Sequence, residues 1–176
     1  MVGLYQWAEA VGEPYSSNST SIGGSWQSCD PCGSGGRQGI CPSGYHIPTD
    51  LEWSRYEWCV ENNIAPAGGT SLSTFQTGTT WRGSTSSTAG VAAKLKASAS
   101  DSPSWDGTNA SGFTALPAGA RLIAGFSFLG SGGYFWSATE DSDSDAWRRY
   151  LGTGNWRSYR FNSPKTRAFS VRCLQN

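Results

Sequence analysis

The sequence predicts an α+β fold in which two helices precede a block of short antiparallel strands, joined by long irregular loops within one domain, residues 1–176. Three observations carry this prediction. Apolar residues recur at helical spacing in residues 49–63 and 87–98. From residue 111 onward, short alternating runs are separated by glycine-containing turns, which is typical of strands. The remaining passages are rich in Gly, Ser, Asn and Pro and have almost no periodicity.

The composition favours a loop-rich fold held together by buried aromatic residues. The chain has 9 tryptophans and 23 glycines, and its length suits one domain with a single core. The formal net charge is zero, so the chain as a whole has neither the charge of a nucleic-acid-binding protein nor that of an acidic tail. No apolar run is long enough to span a membrane, and Met1–Leu4 lacks the basic region of a signal peptide. Either the protein is not exported by that route or the chain has been trimmed.

The N-terminal segment predicts a short strand or strand-to-helix entry at Leu4–Ala10, followed by a long loop at Gly12–Gly39. A loop of this length is usually functional or cross-linked, which agrees with the cysteines that it carries.

The five cysteines leave two arrangements open. In the first, Cys29, Cys32 and Cys41 supply three thiolates to zinc, with Cys59 or Cys173 as the fourth. In the second, Cys41 pairs with Cys173, while Cys29 and Cys32 form a local disulfide or stay free thiols. Cys59 lies inside a predicted helix, and we interpret it as a small buried apolar residue.

The clearest helix begins after Thr49, which is a suitable N-cap, and Glu52 completes a capping box. Asn62 and Asn63 end it. A wide stripe is predicted to pack against a sheet, and it comprises Leu51, Arg55, Trp58 and Cys59, flanked by Trp53, Tyr56 and Val60. The only histidine, His46, precedes this helix. We interpret it as a packed, hydrogen-bonded turn residue, because acid–base chemistry would require a nucleophile or carboxylate within reach.

The middle of the chain predicts a second, shorter helix at Ser87–Ser98 and a strand or loop at residues 74–82. Short strands follow on either side of a Pro-Ala-Gly turn at residues 117–119, and a glycine turn at Gly130–Gly133 leads into the C-terminal part.

The C-terminal run, residues 135–173, has two faces that differ in kind. Two strands are predicted, one from Ala146 to a turn at Gly152–Asn155 and one after that turn. In each strand, alternate side chains point to opposite faces. The outward positions are Arg148, Tyr150, Gly152, Arg157, Tyr159 and Phe161. The opposite face holds Trp147, Arg149, Leu151, Trp156, Ser158 and Arg160.

A last strand at Ala168–Cys173 is predicted to direct Phe169, Val171 and Cys173 inward, and Ser170 and Arg172 outward. Tyr, Trp, Arg, Asn and Ser on an irregular sheet are the composition of a recognition surface, although small β proteins also carry wet aromatic faces.

Five blocks of the chain resemble one known family. They are Leu4–Trp7, Cys41–Trp53, Ser111–Pro117, Gly133–Glu140 and Phe169–Cys173. In this order, and nearly from end to end, they are similar to the Fibrobacter succinogenes major paralogous domain. The resemblance implies a C-type lectin-like fold, in the branch that includes the formylglycine-generating enzymes, and a disulfide between Cys41 and Cys173. It implies no enzymatic activity, because the C-terminal half lacks a pair of reactive cysteines. The Cys29–Cys32 motif lies outside the family pattern.

The same branch supplies the variable proteins of diversity-generating retroelements, in which a reverse transcriptase rewrites adenines in codons near the C-terminus. By resemblance, the diversified ligand-binding positions are Asp143, Asp145, Arg148, Tyr150, Gly152, Asn155, Arg157, Tyr159, Phe161, Asn162 and Ser163. The framework is Trp136, Ala146, Trp147, Arg149, Leu151, Arg160, Lys165 and Phe169. Substitution of the adenines in an AAC-type codon can produce every residue found at the variable positions. It cannot produce tryptophan or lysine, so Trp156 and Lys165 belong to the framework.

We therefore expect a non-enzymatic binding protein, displayed on a surface or virion rather than cytoplasmic, whose C-terminal face binds a protein or a glycan. The alternative is a non-diversified carbohydrate-binding or adhesion domain, in which Asp141, Asp143 and Asp145 bind calcium instead of forming a solvated loop. The chain has no GxSxG, HExxH or phosphate-binding glycine motif, so no catalytic residue is predicted. No cofactor is expected apart from the calcium and zinc alternatives, and the oligomeric state stays open.

Overall fold

The computed structural model describes residues 3–63, 75 and 78–176, and all elements below lie within these ranges. The helices are α1 (Trp7–Val11), α2 (Asp50–Asn62) and α3 (Val91–Leu95). The strands are β1 (Tyr5–Gln6), β2 (Tyr45–His46), β3 (Trp81–Arg82), β4 (Ala118–Leu122), β5 (Gly125–Leu129), β6 (Gly132–Glu140), β7 (Asp145–Gly152), β8 (Ser158–Pro164), β9 (Ala168–Phe169) and β10 (Leu174–Gln175). This is a mixed α+β structure with more strand than helix, as predicted. Part of the predicted segment 74–82 lies outside the described residues.

One sheet joins most of the strands in the order β1-β9-β4-β6-β7-β8-β3, and β5 pairs with β4 off this path. The β4–β6 pair is parallel, whereas β6, β7 and β8 are antiparallel to one another. Their register places Arg149 between Phe135 and Arg160, and Tyr150 between Tyr134 and Tyr159. Residues in register across a sheet point to the same side, so these two rows belong to opposite faces.

Each face of the central strands packs against a different part of the chain. On one side Trp136 and Phe169 pack with Trp7 of α1. On the other side Phe135 packs with Trp53 of α2 and with α3. The sheet is therefore covered by the N-terminal segment on one face and by α2 and α3 on the other.

Helix α2 begins and ends as predicted, but its buried side is not the predicted apolar stripe. Thr49 and Glu52 form the capping box, and Asn63 ends the helix in the left-handed region at φ 53°. The buried side holds Asp50, Glu52, Trp53, Ser54, Glu57 and Trp58. The predicted stripe residues Leu51, Arg55 and Cys59 are only half-buried, and Cys59 is a free thiol. The helix buries carboxylates because the facing strands present arginines to it.

Those arginines form a buried ion network between α2 and the sheet. Arg149 donates from Nη1 to Asp50 at 2.6 Å and from Nε to Glu57 at 3.1 Å. Arg160 donates to both oxygens of Asp50, at 2.6 and 3.0 Å, and Arg82 pairs with Glu57. Arg149 is 1% exposed and Glu57 is fully buried. Buried charges are tolerated only when they are paired, so this network fixes the strand residues that contribute to it.

The paired carboxylates make stability depend on acid pH. Burial by itself raises the pKa of Asp50, but the charge of Arg149 and hydrogen bonds from Arg160 hold that pKa below its ordinary value. Burial also raises the pKa of Glu140, but hydrogen bonds with Gln27 and Lys165 outweigh this effect and lower the pKa below its ordinary value. A depressed carboxyl pKa contributes stability above the unfolded-state pKa, and this contribution is lost as pH falls through the folded-state value.

We therefore predict a free energy of unfolding that stays level above pH 5 and falls below about pH 4, where unfolded carboxyl groups begin to bind protons. Urea unfolding followed by tryptophan fluorescence at pH 7, 5, 4 and 3 measures it. Glu140→Gln removes one contributing group and should flatten the acid limb. A limb that is equally steep in the variant would contradict the role assigned to Glu140.

The second helix is shorter than the predicted Ser87–Ser98, because the backbone is extended on both sides of it, at Gly90 and at Lys96. At Gly90, a Cβ atom would lie 2.3 Å from the carbonyl oxygen of Trp156, so the chain cannot carry a larger residue there without moving. Lys96 leaves the helix in an extended conformation and is fully buried. Its Nζ donates to the carbonyl oxygens of Gly152 and Asn155, at 3.1 and 3.0 Å. The lysine thus holds the turn between β7 and β8.

The predicted last strand is only partly correct. Strand β9 contains just two residues, with Phe169 fully buried as predicted. Ser170, predicted to point outward, is 1% exposed, because its backbone bridges to β6 and accepts from Trp136 N at 3.0 Å. Val171 and Cys173 are half-buried, and exposed Arg172 lies over the Phe113 ring at 4.4 Å.

The long N-terminal loop contains three 3₁₀ turns, at Tyr15–Asn18, Ser25–Gln27 and Gly33–Gly35. A Cys29–Cys32 disulfide closes a small ring within it, and Cys41–Cys173 joins the segment before α2 to the segment after β9. The Cys41–Cys173 pairing is the one that the family resemblance implied. It excludes Cys41 and Cys173 from the zinc arrangement left open by the sequence.

A buried lysine ties this loop to the sheet. Lys165 Nζ lies 2.6 Å from Glu140 Oε1 and 4.6 Å from the centre of the Trp7 ring. Glu140 in turn accepts from the backbone N–H groups of Ile22 and Gly23. Within the described residues, no helix is long and apolar enough to cross a membrane.

Candidate functional site: an aromatic sheet face

A row of four aromatic side chains crosses the sheet from β6 to β3. Tyr134, Tyr150, Tyr159 and Trp81 follow one another in register. Ring centroids are 4.6 Å apart for Tyr134–Tyr150, 5.9 Å for Tyr150–Trp81 and 4.8 Å for Trp81–Tyr159. Aromatic pairs at these separations stabilise one another, so the rings are held in fixed positions before any ligand arrives.

Arg148 and Phe161 form a second row beside the first, since they are register partners on β7 and β8. The Phe161 ring stacks on Tyr159 at 5.6 Å. We call the set Trp81, Tyr134, Arg148, Tyr150, Tyr159 and Phe161 the aromatic face. It continues the sheet side that elsewhere packs under α1, and most of its members are half-buried, with Phe161 exposed and Tyr134 buried.

Arg148 is the polar centre of the aromatic face. Its guanidinium lies 5.2 Å from the Tyr134 ring and 5.9 Å from the Tyr159 ring, and its Nε donates to Ser163 Oγ at 2.8 Å. Nη1 is buried and has no hydrogen-bond partner among the described residues. Burial lowers the pKa of Arg148 to about 10, so the group is charged at neutral pH. A buried donor without an acceptor is costly, and an acceptor supplied by a ligand would relieve that cost once the Arg148 side chain moves to expose Nη1.

The arginine and the rings also affect each other's ionisation. Burial and the neighbouring Tyr150 raise the pKa of Tyr134 to about 12, against the opposing charge of Arg148. Tyr134 therefore stays protonated and acts as a neutral ring and hydroxyl. At neutral pH the aromatic face has apolar rings around a positive centre.

The structure places the predicted variable positions in three groups. Arg148, Tyr150, Tyr159 and Phe161 lie together on the aromatic face, and the guanidinium of Arg157 lies 5.9 Å from the Trp81 ring at its edge. The second group lies off the aromatic face: Asp143, Asp145 and Asn155 are in or beside turns, and Asn162 lies inside β8 in register with Trp147, on the other side of the sheet.

The third group, Gly152 and Ser163, lies on the side of the aromatic face but is buried beneath its side chains, so these two positions are not exposed to a ligand. Gly152 has Tyr150 Oη against the position of a Cβ atom, at 2.6 Å, and Ser163 lies under Arg148 as its hydrogen-bond acceptor. Strand alternation alone does not reveal which outward positions a neighbouring side chain covers.

The predicted framework positions are buried with one exception. The exception is Trp147, which is half-buried. The buried framework residues are Trp136, Ala146, Arg149, Leu151, Arg160, Lys165 and Phe169. Trp147 covers the network from outside, because the Arg160 guanidinium lies 3.5 Å from the centre of its ring. The interleaved residues of β7 and β8 therefore divide between two environments, a buried ion network and a half-exposed aromatic face.

Sequence reasoning missed two members of the aromatic face and an apolar hairpin next to it. Trp81 and Tyr134 lie outside the proposed variable positions, and Phe128 contacts Tyr134 at 5.8 Å between ring centroids. On the same β4–β5 hairpin, Ile123 is 99% exposed and Leu129 is 82% exposed. Alternating apolar residues at 126–129 were a usable signal for the hairpin. Nothing local to Trp81 indicates that it pairs with β8.

The acidic turn before β7 does not gather its carboxylates around one point. Asp145 Oδ2 accepts from the hydroxyls of Ser142 and Ser144, at 3.3 and 3.0 Å, and Asp141 accepts from Asn162. Among residues 3–63, 75 and 78–176, the residues with clustered metal-ligand atoms are instead Cys32, His46 and Glu52, although Cys32 Sγ is bonded to Cys29 Sγ in a disulfide. His46 is packed and hydrogen-bonded, as we interpreted it, but it also has a carboxylate partner that the sequence did not reveal.

The fold and the aromatic face together define a small disulfide-linked α+β domain with a candidate binding surface on one side of its sheet. The sequence profile of the Fibrobacter succinogenes major domain matches residues 2–175, and the chain belongs to this family. No curated protein and no solved structure shows significant similarity to the chain.

Proposed function

We propose that this chain is a non-enzymatic binding protein that recognises its ligand through the aromatic face, and that a retroelement diversifies this face. One observation carries the proposal. Four of the proposed variable positions, Arg148, Tyr150, Tyr159 and Phe161, lie together on one half-exposed surface. The residues between them, including Arg149 and Arg160, are committed to the buried network on the other side. Changes at the first set leave the second untouched, which is what a diversified receptor needs.

We also propose that the fold is C-type lectin-like. The support is the family membership and the Cys41–Cys173 disulfide, which connects the region of the first long helix with the end of the sheet. In such an arrangement the C-terminal strands form a surface whose backbone is held at both ends by covalent and ionic contacts.

The chemistry of the aromatic face favours a protein ligand with apolar groups and a carboxylate or carbonyl acceptor. Tyrosine and phenylalanine rings give large contact areas at little cost in conformational entropy. Arg148 offers a charged donor with an unpartnered Nη1. Every charged residue after Asp145 in the sequence is basic, but Arg149, Arg160 and Lys165 are paired with buried carboxylates, so Arg148 and Arg157 are the positive charges that the aromatic face offers to an acidic partner.

The carbohydrate-binding alternative has less support. Its calcium-dependent form needs aspartates that converge, and Asp141 and Asp145 instead bond to neighbouring side chains of the same turn and of β8. Rings that stack on sugars remain present, so a glycan array with and without chelator distinguishes the two functions. Chelator-sensitive glycan binding would favour the alternative.

The test of diversification is deep sequencing of the 3′ end of this gene across the cells or virions of one natural population. We predict amino-acid changes concentrated at Arg148, Tyr150, Tyr159 and Phe161, with near invariance at Arg149 and Arg160. All changes should trace to adenines in a near-copy of this segment, located close to a reverse-transcriptase gene.

The codons of α2 provide the internal control, because substitutions there should occur only at the background rate. A population with equal variation at Arg148 and Arg149, or with no variation at either, would rule out diversification. Binding through the aromatic face does not require diversification, and selection of binders from a library of this face tests it independently.

A further inference from the structure

We propose that the corner formed by Cys29, Cys32, His46 and Glu52 becomes a site for a zinc-class divalent cation when the Cys29–Cys32 disulfide is reduced. This site lies in the N-terminal loop and at the start of α2, and it does not depend on the function proposed for the aromatic face. It has the donor set of a Cys₂HisGlu centre, which suits zinc.

The donor atoms are already close together. Cys32 Sγ, a ring nitrogen of His46 and a carboxylate oxygen of Glu52 lie within 4.8 Å of one another. His46 Nε2 is 3.1 Å from Glu52 Oε2, and Cys29 Sγ is bonded to Cys32 Sγ. Ligands around a tetrahedral zinc ion at about 2.0–2.3 Å are separated by less than 4 Å, so Cys32, His46 and Glu52 need only a small contraction. Cys29 Sγ would complete the site after it separates from Cys32 Sγ.

The orientation of the histidine fits a ligand. His46 Nδ1 lies 2.7 Å from Asn176 Oδ1, which leaves Nε2 directed at Glu52 and the cysteine loop. A carbonyl oxygen on the far ring nitrogen is the arrangement that commonly orients metal-bound histidines. The imidazole and the carboxylate are both buried, at 1% and 5% exposure, and Gly36 packs against the ring.

Hydrogen bonds to α2 and its N-cap also hold the cysteine loop, in addition to the disulfide. Glu52 Oε1 accepts from Cys32 N at 2.7 Å, and Cys29 O accepts from Thr49 Oγ1 at 2.8 Å. Asp30 also accepts from Arg55 Nε at 2.9 Å. A disulfide that closes so short a loop restricts the unfolded chain little, whereas Cys41–Cys173 spans 132 residues. Reduction of Cys29–Cys32 therefore releases two thiols without removing the main covalent link.

A phosphine is a suitable reductant for the Cys29–Cys32 disulfide. A phosphine and a water molecule convert the disulfide to two thiols, and the phosphine becomes its oxide. The cation then binds two thiolates, the Nε2 lone pair and one oxygen of Glu52, and the protons displaced from these ligands pass to solvent. Both sulfurs of the Cys29–Cys32 disulfide belong to half-buried residues, whereas in the other disulfide Cys173 is half-buried and Cys41 is only 4% exposed.

The test uses the full chain carrying Cys59→Ser, which removes the free thiol and serves as the matched cysteine control. After mild phosphine treatment and anaerobic desalting, the protein is titrated with Co²⁺ and then with Zn²⁺. We expect the visible absorption of a tetrahedral cobalt–thiolate centre at one equivalent, its displacement by Zn²⁺, and no such spectrum with the oxidised protein. Cys29→Ser, Cys32→Ser or His46→Ala should weaken binding at least about 100-fold, more than the loss of an outer partner costs.

A second readout requires no ligand variant. Because His46 is the only histidine, the imidazole signals in an NMR spectrum belong to it alone. Zn²⁺ should shift these signals in the reduced protein and leave them unchanged in the oxidised protein. Unshifted signals after reduction, equal cobalt binding by the oxidised protein, or cobalt binding that survives the Cys29→Ser/Cys32→Ser double change would each overturn the proposal.

Discussion

We expect Arg149→Met to lower the free energy of unfolding by about 3–5 kcal/mol, and Arg148→Met to change it by no more than about 1 kcal/mol. The two arginines are adjacent in sequence and lie in the same strand, yet they point to opposite sides of the sheet. Arg149 is held by Asp50 and Glu57, and its removal leaves two buried carboxylates without part of their compensation. Arg148 has no acidic partner among its described contacts, and one of its donors is unpaired.

The measurement is urea unfolding of both variants and of the native protein at pH 7, followed by tryptophan fluorescence. Methionine keeps the length and apolar packing of the arginine stem, so the comparison isolates the charge and its hydrogen bonds. A pair Asp50→Asn/Arg160→Met in the same assay reports whether members of the network act as one unit. Equal losses for Arg148→Met and Arg149→Met would mean that the sheet does not separate a structural side from a binding side.

The distinction between these two arginines was accessible from the sequence, because alternation along a strand assigns neighbouring residues to opposite faces. The partners of the arginines were not accessible. Asp50 and Arg160 are 110 residues apart, and Glu57 and Arg149 are 92 apart. On a helix wheel, Asp50, Ser54 and Glu57 indicate a solvated polar side. Only the facing strands show that this side is the buried one.

The aromatic face was predicted in the same partial way. Its contributions from β7 and β8 follow from alternation, but Trp81 and Tyr134 join it through pairing between strands that the sequence does not specify. The shortened helix α3 has a similar cause. The backbone near Gly90 and the buried Lys96 are positioned by the turn after β7, and helical spacing contains no information about that contact. Local patterns thus identified the surface but not its full membership.

Two matched libraries test whether the aromatic face tolerates diversification. The first randomises Arg148, Tyr150, Tyr159 and Phe161 with one mixed codon, NNC, which reaches the residues available from an asparagine codon. The second applies the same codon to Arg149, Leu151, Ser158 and Arg160, the interleaved residues of the same two strands. Both libraries are displayed on phage and challenged with protease, and the surviving clones are sequenced.

We expect the folded fraction of the first library to exceed that of the second by about tenfold or more, because core and network substitutions carry the large stability losses. Tyr150 is the informative position, since it packs on Tyr134 and on the core as well as facing the ligand. If the surviving clones show a moderate excess of aromatic residues at position 150, that position is compatible with a diversified face. If they retain only tyrosine, position 150 belongs to the framework.

Selection of the folded clones against an arbitrary protein target then tests binding itself. Binders should arise from the first library alone, and alanine at positions 150 and 159 of a selected clone should abolish binding while its melting temperature changes little. The side chains selected at positions 150 and 159 supply contact area on a surface that the network behind β7 and β8 already fixes, so their loss should reduce affinity far more than stability. Equal survival of the two libraries, or loss of folding whenever Arg148 and Phe161 change together, would contradict the separation of faces on which the proposed function depends.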